Sequence, residues 1–195
     1  QDRRHIQDRD VALLKQVLLV RLNLEMATTE EIIGIARELH PDTVCLVPER
    51  REEVTTEGGL DIAGQKKHLT EVIRDFHGDG IKVSLFIDPE DVQVDASAAV
   101  GADYVELHTG AYASARGAKA AEELERVESA ARRAQDAGLA VHAGHGLTVH
   151  NLAPIAAIPG LREVNIGHDI ISRALFIGLE SAVAEILDIL HAYSF

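Results

Sequence analysis

The sequence predicts a parallel α/β fold of the (β/α)8 TIM-barrel type, with about six of the eight strand–helix units carried by its 195 residues. Three observations predict it. Short apolar runs alternate with helical stretches along the whole chain, the pattern of a parallel sheet covered by helices. Polar residues stand at or just past the ends of several different runs, as in barrels, whereas an open doubly wound sheet gathers its ligand residues at one switch point. No Pro/Ser-rich linker or shift of composition divides the chain, so residues 1–195 read as a single domain.

A helix from Asp10 to about Val20 comes first. Six candidate strands follow: Leu22–Met26, Val44–Val47, Val83–Ile87, Tyr104–His108, Ala140–Ala143 and Val164–Ile166, each short and rich in large or β-branched apolar residues. Between them, Thr28 opens a capping box with Glu31 ahead of IIGIARELH. KKHLTEVIRDFHGDG runs into a glycine-rich stop, and AAEELERVESAARRAQDAG ends at Gly138. SRALFIGLESAVAEILDILHAY reads as one last helix with an apolar face for the sheet. The opening QDRRHI resembles the loop that follows a strand. Because a complete barrel runs to about 250 residues, the first one to two βα units are read as missing.

Composition narrows the function. Apolar residues make up 46% of the chain and the mean hydropathy is zero, as in a globular protein. No apolar run approaches the roughly 20 residues that span a bilayer, and no apolar signal segment is visible, so a cytoplasmic location is expected. The formal charge of −13 repels polyanions, which argues against nucleic acid and anionic membranes as partners. A small phosphate ligand stays open, since backbone amides and one or two local cations can hold it. The single Cys45 lies in the apolar run TVCLVP and reads as a core residue.

The most informative stretch is AGHGLTVHN, residues 143–151, which sets His145 between two glycines. Together with NIGHDIISRA it places Gly146 and Gly167 just outside the last two strands, where barrels commonly hold a phosphate on bare N–H groups. His168 can add a positive charge, and Asp169 or Ser172 can cap the helix that follows. The plainer reading is that both glycines serve turns; two such sites in adjacent final units, each beside a histidine, favour an anion. Glu25 in LNLEM is expected at the end of a buried strand, where burial raises its proton affinity, or else in an ion pair with Arg21. Glu106 in YVELHT has the same character, two residues before His108. With His145, these carboxylates make an acid–base set for a carbonyl or imine substrate. The polar loop PERREEVTTEGGLD, residues 48–61, reads as a lid or binding loop hinged at Gly58–Gly59, or as a solvated acidic loop. His40, His68, His77, His150 and His191 read as surface residues.

RLNLEMA, CLVPERREEVTTEGGLD, VSLFID, VELHTGAYA, AGHGLTVHN and VNIGHDIISRA, in this order and spacing, resemble the pyridoxine 5′-phosphate synthase family from Asp2 to about Leu190. The resemblance implies a (β/α)8 barrel with extra helices that assembles as a homo-octamer. It implies a metal-free condensation of 1-deoxy-D-xylulose 5-phosphate with 3-amino-2-oxopropyl phosphate, with no cofactor. By position it implies a general base at Glu25, a proton donor at His145 and a transition-state-stabilising carboxylate at Glu106. It implies contacts to the aminoketone phosphate from Gly146, Gly167 and His168, and to the deoxyxylulose phosphate from His5 and Thr55. The polar residues of the family's first two strands have no counterpart in this chain.

Two other readings compete. One is a metal-dependent barrel isomerase or hydrolase with Glu25, Glu106, His108 and His145 as ligands, although only the Glu106–His108 pair has close ligand spacing. The other is a barrel fragment without catalysis, whose two unpaired strand edges invite association.

Overall fold

The computed structural model describes residues 6–48 and 58–193. A helix α1 (Asp8–Val17) precedes six strands: β1 (Asn23–Met26), β2 (Thr43–Leu46), β3 (Lys82–Ile87), β4 (Tyr104–His108), β5 (Ala140–Gly144) and β6 (Leu161–Asn165). Between the strands run α2 (Glu30–Leu39), α3 (Lys66–Gly78), α4 (Asp91–Ala99), α5 (Gly110–Ser114), α6 (Ala118–Asp136) and α7 (Leu152–Ala156). Two helices, α8 (His168–Ile177) and α9 (Leu179–His191), follow β6. All six predicted strands form, and they pair in parallel in strict chain order, β1-β2-β3-β4-β5-β6. A doubly wound sheet would reverse direction part-way. Crossovers of one hand that always step to the next position place every helix on the same face.

The sheet is curled. In a flat sheet, alternate strands lie about 10 Å apart, and β2 and β6 about 19 Å apart. Here Cys45 on β2 reaches Glu106 on β4, Sγ to Oε2 3.4 Å, and Glu106 accepts from Asn165 Nδ2 on β6 at 2.8 Å. Arg21, just before β1, contacts Glu163 on β6 at 3.5 Å. Side chains from alternate strands thus meet across a concave face, as the layers of a barrel do.

Strand periodicity sorts the two faces. Val44, Leu46, Val83, Leu85, Ile87, Val105, Leu107, Val141 and Ala143 lie in the main apolar core under the helices. Their neighbours Thr43, Ser84, Glu106, His108 and His142 are buried polar residues of the concave face, where Cys45, Val47 and Phe86 form a small apolar cluster of their own. A register shift against β5 gives β6 one extra residue, so that Glu163 pairs with His142 and Asn165 with Gly144.

Several local expectations are corrected. The cap of α2 is Thr29, not Thr28: its hydroxyl accepts from the Ile32 amide at 3.4 Å. The first helix spans Asp8–Val17. The single last helix is broken at Gly178, whose φ of +85° is open to glycine but leaves the helical range. The expected stops after α3 and α6 do occur, with Gly80 at φ +76° and Gly138 at +86°.

Candidate active site

The C-terminal ends of the strands surround a cavity of about 770 Å³, lined by Glu25, Val47, Phe86, Glu106, His145 to Thr148, and Asn165 to Asp169. That volume suits a small-molecule site. Six candidates from distant parts of the chain meet there: Glu25, Glu106, His145, Gly146, Gly167 and His168. The other two, His5 and Thr55, lie outside the described residues, as does most of the polar loop.

Glu106 is the electrostatic centre. It is 7% exposed, accepts hydrogen bonds from Cys45 and Asn165, and faces a second carboxylate, Glu25. Burial, and then the like charge of Glu25, push its carboxyl from the ordinary 4.5 up to about 7, against the opposing pull of the Cys45 and Asn165 donors. The same surroundings raise the Cys45 thiol well above its ordinary range, so it stays a protonated donor. Room for the carboxylate comes from Gly144: a Cβ there would stand 2.2 Å from Glu106 Oε1. Glu25, expected to be buried, is instead exposed, because β1 is an edge strand of this sheet. Nor does it pair with Arg21, which turns to Glu163.

The turn after β5 explains the glycine–histidine–glycine motif. His145 itself takes φ +81° and Gly146 φ +75°, so the strained position belongs to the histidine. The buried Thr109 holds that turn. Its hydroxyl lies 2.7 Å from the carbonyl oxygens of both Gly144 and His145, and its N–H donates to Gly144 at 2.9 Å. At Gly146 a Cβ would meet that of Ala113 at 2.8 Å, whereas one at Gly167 would meet nothing within 4 Å. Gly167 is the N-cap of α8, and neither Asp169 nor Ser172 caps it; Asp169 accepts instead from the Val149 amide at 3.2 Å. The first turn of α8 therefore opens on the cavity with its amides uncapped by side chains.

The sequence offers His108 as a polar residue at a strand end and a possible metal ligand. It is buried beneath His145 with Nδ1 3.0 Å from Asp88 Oδ1, and that hydrogen bond, then the Gly59 amide, hold the Asp88 carboxyl below its usual range. Gly59 serves close approach rather than a hinge, since a Cβ would stand 2.2 Å from the Asp88 nitrogen. His142 lies on the concave face, stacked on Tyr104 at 4.8 Å, and the five surface histidines are exposed as expected. Among the described residues no group of three or more His, Cys, Asp or Glu is placed to hold a metal ion. Thr109 and Asp88 were given no role by sequence reasoning, and Asn165 stood out only as a polar residue at a strand end. Asp88 carried the same signal; Thr109 carried none.

The fold and the site define an α/β protein with a cavity at the strand ends lined by carboxylates, histidines and glycines. The chain belongs to the family of pyridoxal phosphate biosynthesis protein PdxJ, whose model matches residues 1–192. It is 59% identical over 186 residues to the pyridoxine 5′-phosphate synthase of a Synechococcus species, covering 95% of this chain and 78% of that protein. It is 56% identical, over 95% of this chain and 76% of the relative, to the protein of that name from Photobacterium profundum. Among solved structures, one described as native KDPGal superposes with a TM-score of 0.67 at 13% identity, over 96% of this chain and 77% of its own. The Amycolatopsis orientalis BexX/CysO complex gives 0.61 at 18% identity, over 99% and 77%. Both likenesses concern the fold. Among the described residues no helix is long and apolar enough to cross a membrane.

Proposed function

We propose that the protein is a pyridoxine 5′-phosphate synthase, condensing 1-deoxy-D-xylulose 5-phosphate with 3-amino-2-oxopropyl phosphate and releasing phosphate and water. The observation that carries this reading is the single cavity in which Glu25, Glu106, His145, Gly146, Gly167 and His168 meet, in a chain that shares over half its residues with proteins of that name. Glu25, open to the cavity, is the general base that removes protons from the condensing carbon chain. His145 protonates the oxygen that leaves as water; its strained backbone aims the imidazole into the mouth. Glu106, once ionised, stabilises the cationic iminium character that develops as ring closure proceeds. The amides of Gly146 and Gly167, the uncapped start of α8 and His168 receive the aminoketone phosphate. His5 and Thr55 contact the phosphate of the second substrate.

The six strands are six units of a single-domain (β/α)8 barrel, and two further units join the unpaired edges of β1 and β6. The greater length of the relatives and the exposed apolar residues of α1 and α8, Val17 at 66% and Phe176 at 89%, favour this. The protein works in the cytoplasm, in keeping with its composition, and as a homo-octamer, as its family resemblance implies. Incubating the protein with both substrates tests the function: pyridoxine 5′-phosphate appears by its fluorescence, and a folded protein that makes none refutes the assignment.

A further inference from the structure

Asp88 and His108, which the proposed chemistry leaves unused, form a connected series with His145. His108 is 7% exposed and its Nδ1 is bound to Asp88 at 3.0 Å. Asp88 accepts at that contact, so Nδ1 carries a proton and the ring cannot rotate without losing the bond. Its other nitrogen, Nε2, is buried without a hydrogen-bond partner among the described residues. The ring meets that of His145 edge to face, with centroids 4.9 Å apart and planes at 67°. Both imidazoles press on the same point: a Cβ at Gly110 would stand 2.6 Å from His108 Nε2 and 3.2 Å from His145 Cδ2. Phe86 closes the group, 5.0 Å from His108 and 6.5 Å from His145. A buried polar atom left unpaired is costly, so a histidine retained here needs a reason beyond packing.

We propose that His108, locked by Asp88, is the positioning residue that fixes the imidazole of His145 in the mouth of the cavity. Thr109, the next residue, holds the backbone of His145, and His108 holds its ring. The end of β4 therefore sets both the main chain and the side chain of the strained residue. His108 does not line the cavity and so acts only through His145. This inference rests on the role given to His145 above.

The test has two independent arms. In the first, histidine-labelled protein is examined by imidazole NMR. The wild type is expected to show a protonated Nδ1 on His108 and a His145 ring signal displaced by the neighbouring ring. In Asp88→Asn the Nδ1 signal of His108 is expected to shift, and in both Asp88→Asn and His108→Asn the displacement of the His145 ring signal is expected to relax. An unprotonated Nδ1, or a His145 signal indifferent to both variants, overturns the proposal. In the second arm, His108→Asn keeps a donor near the Nδ1 position but deletes the ring. It is expected to lower kcat by between about tenfold and a hundredfold, the scale of a displaced catalytic group, with KM for both substrates within about twofold. In a His145→Asn background the same change is expected to cost less than about twofold, because its target is gone. An equal factor in both backgrounds, or a change confined to KM, overturns the proposal. Should His108→Asn not fold, Asp88→Asn carries both arms. Wild-type protein that makes no product defeats the synthase reading alone, and the NMR arm still decides the positioning.

Discussion

Replacing Gly144 by alanine probes the placement of the Glu106 carboxylate on which the proposed chemistry depends. The backbone at this position is outside the left-handed region, so alanine adds no conformational strain; the new methyl alone acts. It would stand 2.2 Å from Glu106 Oε1, 3.1 Å from the Asn165 carbonyl oxygen and 3.2 Å from the Asn165 Cβ. An ordinary contact needs about 1 Å more, and the carboxylate is hemmed in by the concave face. It can retreat only by giving up the Asn165 hydrogen bond of 2.8 Å. Losing a buried bond to a charged group costs about 1.5–3 kcal/mol, and overpacking adds about 1–3 kcal/mol. A destabilisation of about 3 kcal/mol lowers Tm by about 6–12 °C in a domain of this size. A displacement of about 1 Å of a catalytic group lowers kcat by about a hundredfold. Thermal melts and the fluorescence assay measure the two effects. Adding Glu106→Ala to Gly144→Ala removes the collision, so the pair is expected to recover stability but not turnover. An alanine variant within about 2 °C and threefold of wild type would mean that the carboxylate does not sit against Gly144, and the site as described would be wrong.

Three further outcomes are expected. With its carboxyl at about 7 in the folded state against 4.5 normally, Glu106 stabilises the fold in full below about pH 4.5 and progressively less up to about pH 7, by up to about 3 kcal/mol. Urea unfolding at pH 5 and pH 8 is expected to show that loss in wild type, reduced in Glu106→Gln. An ionised Glu106 likewise gives the wild-type pH–kcat profile a rise near pH 7 that the variant lacks, and identical profiles would exclude its part in turnover. Gly167→Ala has an ordinary φ of −108° and open space for its methyl, so stability is expected to stay within about 0.5 kcal/mol; KM for the aminoketone phosphate is expected to rise about tenfold, and an unchanged KM would remove Gly167 from the phosphate site. His145→Asn keeps at φ +81° a residue type that tolerates positive φ, so Tm is expected to stay within about 4 °C of wild type while kcat collapses; a folded variant that keeps turnover would contradict the role.

Much of the site was legible because strand ends are readable from composition. A polar residue closing an apolar run, as Glu106 does in YVELH or Asn165 in REVN, marks a strand end facing something other than the helices. The paired glycines at Gly146 and Gly167 advertised close backbone approach. What stayed hidden depended on partners from elsewhere in the chain. Thr109 looks like any threonine after a strand until the turn carrying His145 lies over it. Asp88 looks like a loop aspartate until β3 and β4 set it beside His108. Glu25 shows the same dependence: LNLEM reads as a buried strand, and exposure depends on whether β1 has neighbours on both sides.

By itself the sequence determined the number and order of the strands and their alternation with helices, because alternation of apolar and polar residues is a local property that each segment carries within itself. The tertiary structure alone decided the curl of the sheet, and with it which polar residues touch. Contacts such as Cys45 to Glu106 and Glu106 to Asn165 join residues 61 and 59 positions apart. The raised proton affinity of Glu106 likewise exists only once the helices and the concave face have excluded water from it. Charge state and mutual geometry are properties of the assembled neighbourhood, and no segment holds them on its own.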